Sequence, residues 1–128
     1  MIYLDSSVVL ARLLAEPHST SNAMWNDTLV SSRLLEYEVW NRIHARRLAR
    51  TLGETVHTLI DHIELVALTP AVLARAMEPF PIAVRTLDGL HLATIEYMRG
   101  DGHAVELASL DGRLLAAARA LGIAVYQP

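Results

Sequence analysis

The sequence contains no cysteine and no lysine. Without cysteine there can be no disulfide, no thiolate nucleophile and no sulfur-based zinc site. Without lysine, all 11 basic residues are arginine, so Schiff-base catalysis and the lysine of a phosphate-binding P-loop are excluded. Long apolar runs are missing too: nothing approaches the roughly 20 residues that span a bilayer, and Asp5 interrupts the N-terminal apolar stretch. A soluble, cytoplasmic protein that does not enter membranes is expected. Excess positive charge is also lacking. A net charge of -3 and a pI near 6.0 argue against a broad basic surface, so any contact with nucleic acid must be local. What is abundant is apolar residues, 52% of 128, enough for one core and a single domain over residues 1–128.

Apolar spacing alternates between two kinds of element. Ile2-Tyr3-Leu4 reads as a strand, followed by a polar turn and a helix through Leu14. Ser19 or Thr20 is placed to cap a short helix running to Trp25, and Thr28 to Ser31 reads as a buried strand. Ser32 then caps a helix from Arg33 to about Arg50, broken at Gly53 and resumed by Val56, Leu59 and Ile60. Leu65 to Leu68 is a third strand, and Thr69-Pro70 starts another helix, because proline at the first helical position sacrifices only an unpaired amide. After the rigid Pro79-Phe80-Pro81 loop, Thr86 is expected to cap a helix through Tyr97 that stops at Gly100-Asp101-Gly102. Val105 to Leu110, a helix from Leu114 to Leu121 and a last strand from Ile123 to Tyr126 complete the chain. Strands alternating with helices predict an α/β fold with a mostly parallel sheet.

In such sheets ligands bind beyond the carboxyl ends of the strands. Asp5 and Asp111 each leave an apolar strand at that edge. Either one alone is also an ordinary helix cap. Asp88 stands in the first turn of its helix, where the dipole favours a negative charge with or without function. In the long helix, periodicity leaves Glu36 and Glu38 as rival contributors. Carboxylates converging with no evident arginine partner would repel unless a divalent metal neutralised them. Hard oxygen ligands suit Mg2+ or Mn2+, and such a site can hydrolyse a phosphodiester.

Together, Ile2-Tyr3-Leu4-Asp5-Ser6-Ser7, Glu38-Val39-Trp40-Asn41, Leu87-Asp88-Gly89-Leu90-His91-Leu92-Ala93 and Ser109-Leu110-Asp111 resemble the PIN-domain toxins of the VapC type, in the family's order. The resemblance implies a PIN-like α/β/α sandwich and a metal-dependent endoribonuclease. It assigns metal ligation to Asp5, Asp88 and Asp111. The Glu-Val-x-Asn pattern selects Glu38 over Glu36 as the acid that holds metal or its water. Ser6, Asn41 and Ser109 become supporting polar residues. It also implies a VapB-type antitoxin partner, an RNA substrate and a homodimer. The alternative is a catalytically silent PIN-like module that binds a basic partner peptide in its acidic cleft.

Other residues carry weaker expectations. Arg42, Arg46, Arg47 and Arg50 follow Glu38, and Arg42 and Arg46 are candidates to touch an RNA backbone, although arginines near a helix end also form an ordinary solvated face. The histidines at 18, 44, 57, 62, 91 and 103 show no zinc-binding spacing and read as structural, with His91, one turn beyond Asp88, as the exception to watch. Trp25 and Trp40 are expected to pack rather than to stack on bases. An aspartyl-phosphate phosphatase is disfavoured, because Asp5 has no second aspartate two residues on and there is no lysine to steady the phosphate.

Overall fold

The computed structural model describes residues 1–16 and 22–127. The expected caps Ser19 and Thr20, and His18, lie outside the described residues. Strand β1 (Ile2–Leu4) leads into helix α1 (Ser6–Leu13), a 3-10 turn (Asn22–Asn26), β2 (Leu29–Ser32), α2 (Arg33–Ala45) and α3 (Ala49–Asp61). There follow β3 (Glu64–Val66), α4 (Pro70–Ala76), α5 (Thr86–Gly100), β4 (Glu106–Ala108), α6 (Gly112–Ala120) and β5 (Ala124–Val125). The strands pair in the order β3-β2-β1-β4-β5, and every pair is parallel.

Parallel strands are covered on both faces, which is why β1 is apolar without interruption. Ile2 and Leu4 point to one face, where they meet Val8, Val9, Leu35, Val39, Ile43 and Val56 from α1, α2 and α3. Tyr3 points to the other, toward Leu92 and Ile95 of α5 and Leu114 and Ala117 of α6. The result is an α/β/α sandwich. All three β1 residues are essentially inaccessible to water, and burying an aliphatic side chain of this size contributes about 1.5–3 kcal/mol.

Local sequence explains most boundaries. Ser32 accepts a hydrogen bond from the Leu34 amide, and Thr69 accepts one from the Val72 amide with Pro70 opening the helix behind it. Two expectations are corrected. The long helix does not continue to Arg50 and break at Gly53. It ends at Ala45, where Arg47 takes a left-handed φ of 56° and the Leu48 amide closes onto the Ile43 carbonyl. Gly53 lies inside α3, beneath Trp40. Thr86 is not the cap of α5 but its first helical residue; the capping position belongs to Arg85, whose side chain is engaged elsewhere.

The chain turns from β1 toward β2 and β3 on one side, and β4 and β5 lie on the other. The carboxyl ends of β1 and β4 therefore flank the point where strand order reverses, the usual place for a ligand crevice in an open α/β sheet.

Candidate active site

Asp5 and Asp111 mark the ends of β1 and β4 and cap the helices that follow. One Asp5 oxygen, Oδ1, accepts from the Ser7 amide at 2.7 Å and from the Ser7 hydroxyl at 2.5 Å. Asp111 Oδ1 accepts from the amides of Arg113 and Leu114. Both are thus genuine helix caps, and each has a second oxygen left for other work. Oδ2 of Asp5 accepts from the Ser109 hydroxyl at 2.6 Å, and Ser109 accepts in turn from the Asp111 amide. Ser109 is therefore the bridge that holds the two strand ends in register.

Asp5 is only 5% exposed. Burial pushes its proton affinity above the ordinary carboxylate value, and the hydroxyls of Ser109 and Ser7 only partly offset this. Asp88 enters from the first turn of α5 and Glu38 from the middle of α2. With Ser6, Arg42, Arg85 and His91, all four acids line one cleft of about 510 Å³.

The expectation that these acids lack an arginine partner is corrected. Arg85 donates from Nε to Asp88 at 3.2 Å and from a terminal nitrogen to Asp111. The bond to Asp88, with the charges of both acids, raises the guanidinium's own proton affinity. Arg85 already neutralises part of the cluster. Among the described residues, no three acidic or histidine side chains stand together as a ready-made ligand set. The donor set nevertheless fits a hard divalent cation. It is built of carboxylate oxygens, one of them on a buried acid with raised proton affinity, and a cation already bridges the other two.

Glu38 is placed differently from the three aspartates. Its Oε1 meets His91 Nε2 at 2.5 Å, and its Oε2 accepts from the Ser6 hydroxyl at 3.3 Å. The rival Glu36 pairs with Arg33 at 3.1 Å and does not line the cleft. Asn41 is exposed and is not part of the cleft wall. Arg42 lines the cleft, while Arg46 lines an adjoining one shared with Ser7 and Arg42. Trp25 packs under Arg12, and Trp40 stacks on His44 and meets His57 at a tilt.

Sequence reasoning passed over Arg85 and, among histidines read as structural, singled out His91 only for standing one turn beyond Asp88. Arg85 carried a local signal, three residues before Asp88, the spacing at which helical side chains meet. His91 is 1% exposed and bonds to Tyr3 as well as to Glu38. No local pattern links position 91 to position 38, because the sheet brings them together.

Comparison with known proteins agrees with this architecture. The PIN domain family model matches residues 2–120. Ribonuclease VapC46 of Mycobacterium tuberculosis is 34% identical over 99% of this chain and 97% of its own length. From the same organism, Ribonuclease VapC47 is 28% identical and Ribonuclease VapC35 31% identical, each over 100% of this chain and 97% of its own.

Proposed function

Because this chain belongs to the PIN-domain family, alongside the VapC ribonucleases, we propose that it is a metal-dependent endoribonuclease and the toxin of a toxin-antitoxin pair. The observation that carries the reading is the meeting of Asp5, Glu38, Asp88 and Asp111 on one cleft at the strand-order reversal. Asp5, Asp88 and Asp111 would hold a Mg2+ or Mn2+ ion, with Glu38 holding the ion or its water. When bound, the ion would activate water and neutralise charge developing on the phosphodiester.

The chain's own residues supply the rest. Ser7 and Ser109 fix the Asp5 carboxylate, so its orientation does not depend on a ligand. Ser6 faces Glu38 across the cleft. Arg85 keeps Asp88 and Asp111 from repelling each other, and once those carboxylates are neutralised otherwise its guanidinium would be free to contact an RNA phosphate. Arg42, which also lines the cleft, offers a second phosphate contact.

The partners in this reading are RNA, a VapB-type antitoxin and a second copy of the chain. An apolar surface formed by Leu73, Met77 and Ile82 adjoins the cleft at Arg85 and Thr86, with Met77 81% exposed, and is the part of the surface best suited to the dimer. No described helix is long and apolar enough to cross a membrane, and the cytoplasm is the proposed compartment.

The test uses purified, antitoxin-free protein and its Asp5→Asn variant with total cellular RNA, with and without Mg2+ or Mn2+, mapping new 5′ ends. Discrete ends that require both metal and Asp5 are expected. If folded wild type makes no cut with either metal, the reading is overturned in favour of a silent module that binds a partner peptide.

A further inference from the structure

His91 lies on the buried side of α5, one turn beyond Asp88, and both of its ring nitrogens are engaged. Nδ1 is 2.7 Å from the Tyr3 hydroxyl and Nε2 is 2.5 Å from Glu38 Oε1. A neutral imidazole buried in this apolar layer has one donor and one acceptor nitrogen to satisfy. This one forms a continuous polar path from the centre of the sheet to the cleft.

The direction of that path follows from the groups at its end. An ionised carboxylate can only accept, so His91 must donate from Nε2. A neutral imidazole then has a lone pair on Nδ1, which requires the Tyr3 hydroxyl to donate. The neighbouring Ser31 and Thr94 hydroxyls spend their own hydrogens on the Leu4 and Leu90 carbonyls, at 2.6 Å and 2.8 Å. Neither competes with Tyr3 as a donor to His91. Tyr3 is itself fixed by the sheet, as the central residue of β1 with no exposed surface.

We infer that His91, oriented by Tyr3, is a positioning residue for Glu38: it holds Oε1 and thereby turns Oε2 into the cleft beside Ser6. The inference rests on the reading of Glu38 as a group that holds metal or its water. A glutamate has three side-chain rotors, and freezing them in advance removes that ordering cost from metal binding. Partners that orient a metal-holding side chain in this way typically change metal affinity 10–100-fold when removed. Tyr3 acts one bond further back, so its loss should have the smaller effect.

Three variants and one spectrum test the role. His91→Phe keeps a ring but removes both nitrogens, His91→Gln restores an amide donor where Nε2 stood, and Tyr3→Phe removes only the phenol hydroxyl. Mg2+ and Mn2+ binding is measured by calorimetry without RNA, beside thermal unfolding. Long-range proton-nitrogen NMR of metal-free wild type reads the His91 tautomer and needs no variant to fold.

The expected results are a proton on Nε2 and none on Nδ1 in wild type, and metal affinity weakened roughly 10–100-fold in His91→Phe. His91→Gln should recover most of the loss and Tyr3→Phe should lose several-fold. A packing role would lower the unfolding temperature of these variants and leave metal affinity alone. Wild-type affinity in folded His91→Phe, or a proton on Nδ1 alone, overturns the inference. Wild type that binds neither metal removes the site reading itself, and the inference with it, an outcome separable because it appears before any substitution.

Discussion

Replacing Asp5 with asparagine should make the metal-free protein more stable while abolishing its activity. The carboxylate is nearly inaccessible, and its raised proton affinity has burial as the largest cause. Asparagine keeps the geometry. Its carbonyl oxygen can accept from the Ser7 amide and hydroxyl as Oδ1 does now, and its amide can donate to Ser109 Oγ once that hydroxyl turns away. What disappears is the cost of holding a charge out of water. A single stabilising substitution commonly gains about 0.5–2 kcal/mol, and the effect expected here is of that size. An unfolding entropy of about 2.1 cal/mol/K per residue, over 128 residues, converts that into roughly 2–8 °C in Tm.

The pH dependence separates this explanation from better packing. Because the native state holds the Asp5 proton more tightly than the unfolded chain does, its favourable contribution is complete below the ordinary carboxylate range. It is lost as pH rises through the native pKa. The advantage of Asp5→Asn should therefore be largest near neutrality and shrink as the solution is acidified. Thermal unfolding followed by circular dichroism at several pH values reads this directly. Saturating Mg2+ should then raise the wild-type Tm by mass action and leave the variant unmoved. A metal-free variant less stable than wild type at pH 7, or an advantage independent of pH, would mean that the buried Asp5 charge does not destabilise the fold.

Arg85→Ala removes the guanidinium that bridges Asp88 and Asp111, so Mn2+ titrated calorimetrically should bind more tightly than to wild type; weaker binding would mean that Arg85 organises the acids rather than competing for them. Gly122→Ala forces a side chain into a left-handed φ of 72° at the end of α6, where Ile123 closes onto Ala118, and should cost about 1–2 kcal/mol in urea unfolding with RNA cleavage per folded molecule unchanged. Met77→Glu places a charge on the exposed apolar surface beside the cleft, and if the proposed dimer forms there, light scattering should show the monomer fraction rise; an unchanged mass would remove this surface from the proposal.

The strand-helix order and most caps were legible because each depends on a few adjacent residues. Ser32, Thr69 and Pro70 act through amides two or three positions away, and β1 is recognisable as an unbroken apolar run. The break at Arg47 was hidden because a left-handed arginine carries no compositional mark, whereas Gly53, which does, sits inside α3. The four acids could be named from local motifs, and Glu36 could not be dismissed until α2 was packed.

From sequence alone, then, came the alternation that makes the sheet parallel, and the exclusion of thiol, amine and broad basic-surface chemistry. Two carboxylates were also placed at strand ends, because these features depend on residue type and short-range spacing. Only the tertiary structure decided that Arg85 reaches Asp111 from 26 positions away and that His91 meets Glu38 from 53. The same holds for Ser109 reaching Asp5 across the β1–β4 pair. Those contacts join elements that the chain separates and the sheet sets side by side. The protonation and orientation of buried groups depend on such neighbours rather than on sequence position.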